Sequence, residues 1–445
     1  MTDQRRAERF RYDDYQLDPA AGTLTCRYSV GGRRFAEQLR CEGPADWSAA
    51  GVEEAARLVF LLAGVSYYKT AAPPVVDLGD LATTAAERAF LRQYLVEGLG
   101  EFAYGNDLDL TGLEVVGPDR PAPSPVAVAT EAGRPLVPFG GGIDSIVTVE
   151  AVRQRAADPS LFVVSREGDR FAALEQAAAV TGLPVVRVGR RLDDQVLRST
   201  ELGFLNGHVP VTGILSATAV LAAVLGGHDA VVMANEWSAS AGNLEVGGRT
   251  INHQWSKSAA FETGFASLVA ASVAGVAYFS LLRPYSELWV AERFARLERY
   301  HRVFRSCNRA FTVDPARRLD HWCGRCDKCC FIDLVLAPFL AESELSAIFD
   351  GHEPLGDPTL APRFETLVGL SADAKPFECV GDVDECRTAV ALATARPDRL
   401  GQPLLAALAE ALAPLPDPAA ELARLRAPLG PHAIPDAYAP GDLLV

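Results

Sequence analysis

A short apolar run, Pro135 to Phe139, breaks into three consecutive glycines, Gly140, Gly141 and Gly142, and then into Ile143-Asp144-Ser145. No other segment narrows the fold as much. The run reads as a buried strand, and a helix is expected over Ile146 to Arg155. Three glycines let the backbone turn sharply and aim successive N–H groups into one concavity. A helix N-terminus behind them adds the positive end of its dipole, so a polyphosphate is the natural guest. Ser145 is a candidate to cap the helix or to bond a phosphate oxygen. The loop has neither the Gly-Lys-Ser/Thr close of a Walker A motif nor a G-x-G-x-x-G fingerprint. A plain glycine turn is the alternative.

The same rhythm continues on both sides. Strands are expected at Leu161 to Ser165, Pro184 to Val188, Ala230 to Ala234 and Val276 to Leu282. Helices are expected at Arg170 to Thr181 and Gly213 to Leu225, and the alternation implies a parallel sheet covered on both faces. Ligands of such sheets sit beyond the strand carboxyl ends, where the glycine loop, Asn235-Glu236 and Arg283-Pro284 all fall. The expected organisation is an N-terminal α+β segment over 1–120, this α/β segment over 126–340, and a mostly helical region over 341–445. The first opens with a hairpin, Tyr12 to Leu17 and Thr23 to Ser29 around Asp18-Pro19, and continues with a strand at Arg33 to Leu39. It adds helices at Val52 to Leu62 and Thr84 to Leu99, and the proline-rich Gly117 to Pro125 closes it.

At 445 residues and a net charge of -15, the chain has ample core but no broad nucleic-acid-binding surface. Its opening Met1-Thr-Asp-Gln-Arg-Arg leads into polar sequence, with no apolar export segment. Thr263 to Leu282 is uncharged and long enough to span a bilayer, but its Ser, Ala and Gly content divides it into a buried helix and a core strand. A cytoplasmic protein without membrane contact is expected.

Four of nine cysteines crowd into Cys323-Gly-Arg-Cys326-Asp-Lys-Cys329-Cys330. With Cys307 upstream, the set Cys307, Cys323, Cys326 and Cys329 has the ligand type and compact spacing of a closed structural zinc site. Cys330 is the alternative to Cys329, and a redox C-x-x-C or inert thiols are the rival readings. Asn235 to Asn243 and Asn252 to Ser258 are dense in polar and aromatic types, with Glu236 among them, His253 as a candidate base and Lys257 as a candidate phosphate ligand. His208, before a helix, is a weaker candidate for the same place. Cys379 is the kind of thiol that surroundings can tune toward neutral pKa.

These residues carry resemblances. The glycine loop is similar to the S-G-G-x-D-S loop of PP-loop ATP pyrophosphatases, with Gly140 where that family usually has serine. The cysteine cluster resembles the zinc site of 7-cyano-7-deazaguanine synthase, itself a PP-loop enzyme. Ser66-Tyr-Tyr-Lys-Thr-Ala-Ala-Pro73, Asn206-Gly-His-Val-Pro, Asn252-His-Gln-Trp-Ser-Lys and Lys375-Pro-Phe-Glu-Cys-Val-Gly, in this order, resemble the ATP-dependent UDP-N-acetylmuramoyl-L-alanyl-L-glutamate epimerases (MurL) of bacterial cell-wall synthesis. The resemblance implies a PP-loop/HUP-like core and inversion of the terminal L-Glu of the UDP-muramyl dipeptide substrate through an acyl-adenylate, with release of AMP and pyrophosphate. It implies ATP and Mg²⁺ at Gly140, Gly141, Gly142, Asp144, Ser145 and Lys257, and proton transfer by Glu236, His253 or Cys379. A PP-loop ligase or tRNA-modifying enzyme, and a non-catalytic nucleotide-binding module, are the alternatives.

Overall fold

The structure, a computed structural model, describes residues 7–312, 314–371, 375–415 and 417–439; the polar start Met1 to Arg6 lies outside them. The first strands are β1 (Arg9–Asp18), β2 (Thr23–Val30), β3 (Arg33–Glu42), β4 (Val75–Asp77) and β5 (Glu114–Val116). After the two-residue β6 (Val126–Ala127) come β7 (Glu131–Pro138), β8 (Ser160–Arg166), β9 (Val185–Arg191) and β10 (His228–Met233). The small ribbon β11 (Leu244–Val246) and β12 (Arg249–Ile251) precedes β13 (Val273–Ala274) and β14 (Ala277–Ser280).

Ten of these form one sheet in the order β14-β10-β7-β8-β9-β3-β2-β1-β4-β5. From β14 to β9 every pairing is parallel. The chain therefore lays down β7, β8 and β9 in one direction, then returns past β7 to add β10 and β14 on its other side. Strand order reverses between β7 and β10, and a crevice opens at such a point. The N-terminal strands continue the same sheet, because β3 pairs antiparallel with β9. Segments 1–120 and 126–340 thus share ten strands, and the buried Glu37 of β3 accepts from Arg190 of β9 at 2.7 Å.

Side-chain alternation explains the layers. Leu136 and Val231 face one core, while Val137, Ala230 and Val232 face the other, as the two-residue period of a strand requires. Helices Val52–Ala63, Ala85–Gly98, Val211–Gly226 and Ala259–Ser272 cover the first face. Helices Ile143–Val152, Ala172–Thr181, Glu287–Ala295 and Asp327–Leu336 cover the second, with the later Val383–Thr394 and Pro403–Ala411. Thr84 caps its helix through a reciprocal pair with Glu87. Thr263 to Leu282 divides into a helix and a strand as expected, and no helix of the described residues is long and apolar enough to cross a membrane.

Several boundaries shift by a few residues, and two of the shifts bear on the site. The helix after the glycines starts at Ile143, because extended Gly142 takes the N-cap position and its carbonyl accepts from Ile146 N–H at 3.1 Å. Asp144 and Ser145 therefore lie in the first turn. The last strand ends at Ser280, where Arg283 N–H closes a turn onto the Ser280 carbonyl.

Candidate active site

The glycine loop lies at the carboxyl end of β7, beside the point where strand order reverses. Gly141 has a φ of +74°, which only glycine adopts without strain, and its carbonyl accepts from Arg305 N–H at 2.9 Å. A Cβ on Gly142 would stand 2.9 Å from Ser306 Cβ. The loop is thus clamped on the segment that leads into Cys307. Gly140, Gly142, Asp144, Ser145 and Lys257 line one cavity of about 470 Å³, together with Asn235 and Ser306. That volume suits a nucleotide-sized ligand. Ser306 Oγ is buried there without a hydrogen-bond partner. Ser145 Oγ does not cap the helix; it donates to the Gly142 carbonyl at 3.0 Å.

Below the loop, Asp144, Glu236 and Glu287 bring carboxylate oxygens within 4.8 Å of one another. Glu236 and Glu287 are buried, and Asp144 Oδ1 and Glu287 Oε1 have no hydrogen-bond partner. Burial, then the nearby Glu236, raises Asp144 to about 7, against Lys328 and Lys257; burial and the other two carboxylates push Glu287 well up. Three acids crowded with unused oxygens form a donor set for a hard divalent cation.

On the far side of Lys257 lies the thiol. Lys257 Nζ donates to Cys379 Sγ at 3.2 Å, and His253 hydrogen-bonds the same sulfur. His253 Nδ1 also bonds Glu101 Oε2, and the His208 ring lies 4.2 Å from the His253 ring. Burial pushes Cys379 up, but Lys257, the His253 hydrogen bond and Lys328 outweigh it and bring the thiol to about 6. Burial alone would lower His253; its bonds with Cys379 and Glu101 raise it to about 9 instead. His208 goes the other way, to about 4, through burial and the neighbouring His253 charge. Cys379 and His253 therefore form a thiolate–imidazolium pair at neutral pH.

The sequence fixes these groups locally through amides. Asn243 Oδ1 accepts from His253 N–H at 2.8 Å, while its Nδ2 donates to the Pro376 carbonyl at 2.7 Å, so one side chain joins both loops. Lys328 Nζ holds the Cys379 carbonyl. Arg283, which falls at a strand end, stays out of the cavity. It is buried against the Glu262 carboxylate, and it donates to the Glu236 carbonyl at 2.7 Å and the Lys257 carbonyl at 2.6 Å.

The cysteines form a separate knot. Cys323 and Cys326 sulfurs each lie 3.5 Å from Cys329 Sγ, and Cys307 sits within 4.8 Å of the Cys323 and Cys326 sulfurs. A tetrahedral site with metal–sulfur bonds of about 2.3 Å spaces its sulfurs about 3.8 Å apart, and the trio Cys307, Cys323 and Cys326, with Cys329 3.5 Å from two of its members, offers the donor type of such a site. Cys330 is buried beside Cys329, but the sulfur–sulfur contacts run to Cys329.

Of the residues singled out from sequence, the structure brings Asp144 and Glu236 together, and His253, Lys257 and Cys379. Glu101, Glu287 and Lys69 carry no mark as candidates. Lys69 and Glu287 stand in or beside quoted motifs, but nothing in the sequence points to Glu101.

Two family descriptions match: MurL N-terminal domain over residues 1–281 and MurL C-terminal domain over residues 303–423. The chain belongs to the MurL family. Curated relatives named UDP-N-acetyl-alpha-D-muramoyl-L-alanyl-L-glutamate epimerase include one from Xanthomonas oryzae pv. oryzae, 39% identical over 89% of this chain and 88% of that protein. Another, from Micromonospora sp., is 39% identical over 98% of both chains, and one from Salinispora tropica is 37% identical over 98% of this chain and 95% of its own. No solved structure matches the chain significantly. As a MurL protein it is an enzyme, an epimerase. Its site draws on both MurL domains: the first contributes Asp144, Glu236, His253 and Lys257, the second Cys379.

Proposed function

We propose that the chain inverts the terminal L-glutamate of UDP-MurNAc-L-Ala-L-Glu to D-glutamate at the expense of ATP, on a PP-loop/HUP-like core, in peptidoglycan synthesis. One observation carries the reading: Lys257 lines the glycine-loop cavity and also bonds the Cys379 thiol, so a phosphate pocket and a proton-transfer group share one ammonium. The chemistry needs both. The hydrogen on Cα beside a carboxylate is very weakly acidic, because its removal piles up negative charge. In the proposed sequence an α-carboxylate oxygen attacks the α-phosphorus of ATP, and the bond to pyrophosphate breaks. The acyl-adenylate carbonyl then accepts the charge when the Cα proton leaves.

The Gly141 turn and the N-terminus of helix Ile143–Val152 hold phosphate oxygens, and Ser306 Oγ supplies a further hydroxyl where Gly140 has none. Asp144, Glu236 and Glu287 fit Mg²⁺, which when bound shares the negative charge of the phosphates. The Cys379 thiolate, stabilised by the His253 imidazolium that Glu101 holds, takes the Cα proton, and a solvent-derived proton returns on the opposite face of the planar enolate. Water then attacks the acyl carbon and AMP leaves. Cys307, Cys323, Cys326 and Cys329 would hold a structural zinc, which would brace the segment whose Arg305 N–H bonds the Gly141 carbonyl.

The test is stereochemical. In deuterated water with ATP, Mg²⁺ and the L-Glu substrate, the product should contain D-glutamate carrying solvent deuterium, with AMP and pyrophosphate formed in step and no inversion without ATP. Recovery of L-glutamate alone, or release of ADP and phosphate, would overturn the proposal.

A further inference from the structure

Lys69, just past the four-residue helix Val65–Tyr68, is buried with only 7% of its surface exposed. Its ammonium donates to two neutral oxygens, Asn206 Oδ1 and the Gly207 carbonyl, each at 3.1 Å. An ammonium has three N–H groups, so one donor is left over. No carboxylate of the described residues offsets the charge, and burial alone lowers its pKa. A buried cation facing only neutral acceptors is costly, and it is retained where an anion comes to meet it.

The surroundings say which anion. Asn206 and Gly207 are exposed, so the ammonium lies one layer beneath an open edge. The ring of the next residue, His208, lies tilted against that of His253, which holds Cys379. Asn106 Nδ2 fixes this loop through the Asn206 carbonyl at 2.9 Å, and Gly207 packs against Phe102. Lys69 therefore belongs to the wall that contains Glu101, His208 and His253. In a glutamyl residue the side-chain carboxyl carbon is three bonds of about 1.5 Å from Cα, about 4 Å away when extended. The diphosphate of a UDP-muramyl dipeptide is separated from that Cα by an alanine, a lactyl group and a sugar.

We infer that Lys69 is the specificity-determining residue that binds the γ-carboxylate of the terminal glutamate, with Asn206 and Gly207 orienting its ammonium. The inference rests on the substrate reading above and adds how glutamate is told from its neutral isostere. A site built around a charged hydrogen bond rejects an analogue lacking the partner far more strongly than an apolar pocket does.

Calorimetry on the full-length protein tests this with UDP-MurNAc-L-Ala-L-Glu and the corresponding L-Gln compound, epimerisation being followed separately. Wild type should bind the L-Glu form at least about a hundredfold more tightly. Lys69→Met should lose most of that ratio by weakening the L-Glu form alone, and Lys69→Arg should restore part of it. If Lys69 merely staples the loop, Lys69→Met weakens both ligands alike, and the inference falls. Equal binding of the two ligands by wild type overturns it without any variant. With free L-Ala-L-Glu and L-Ala-L-Gln, persistence of the ratio assigns the γ-carboxylate; a Lys69→Met effect seen only with the UDP-linked ligands assigns the diphosphate and refutes the inference. Absence of inversion by wild type, with the Glu/Gln ratio intact, would instead remove the proposed reaction and leave the anion site standing.

Discussion

Cys379 is exposed to opposite pressures, and its charge decides the chemistry. The thiolate is present above pH about 6 and the His253 imidazolium below about 9, so kcat/KM should rise through the first value and fall through the second. A profile flat from pH 5 to 10 would refute the pair. Lys257→Met removes the ammonium that contributes most to holding the thiol down, so the acidic limb should move to higher pH. Cys379→Ser should lower the rate of inversion by about 10²–10⁴-fold while AMP formation survives, because activation precedes proton transfer; normal inversion by this variant would make Cys379 structural. Single residues were partly legible. Lys257 and His253 stand in a run dense in donors and bases, and Cys379 is a thiol outside the metal-type cluster. Glu101 and Glu287 were not, because each sits in the first turn of a helix, where an acid is ordinary. Only tertiary packing sets Glu101 against His253 and Glu287 against Asp144.

Elements of this fold were readable where a hydrophobic period is long and blurred where a cap decides the boundary. Val52–Ala63 and Ala259–Ser272 follow their apolar patterns, whereas the helix after the glycines begins at Ile143 because Gly142 adopts an extended cap geometry. The connections between elements depend on buried polar ties that no pattern marks. Arg283 joins helix Ala259–Ser272, through Glu262, to the backbone of Glu236 and Lys257. Arg283→Met leaves the Glu262 carboxylate buried and unpaired, and should cost about 3–5 kcal/mol in chemical denaturation. The cysteine knot acts similarly on the glycine loop. Cys326→Ser should lose the tightly held zinc on elemental analysis and lower the melting temperature before it changes the chemistry of whatever remains folded. Protein purified without stoichiometric metal, yet fully stable, would contradict the assignment.

At the scale of the whole molecule, the proline-rich stretch from Gly117 to Pro125 separates segments that the hydrogen bonds unite. Continuity of the sheet was not legible, because it depends on partners such as Glu37 and Arg190, 153 positions apart. Strand β3 covers the edge of β9 from Gln38–Arg191 to Glu42–Arg187, and Arg190 Nη2 also donates to Ser66 Oγ at 3.0 Å. The site follows the same division, since Glu101 reaches His253 from the first segment. A fragment of residues 126–445 would expose the β9 edge, strip Arg190 of its buried partner and uncover the face beneath helices Val52–Ala63 and Ala85–Gly98. An exposed parallel-sheet edge with an uncovered apolar face aggregates. The fragment should therefore elute in the void volume on size exclusion, and co-expression with residues 1–125 should return soluble material. A monomeric fragment with cooperative thermal unfolding would mean that the parallel strands fold alone, with the N-terminal strands as an added layer.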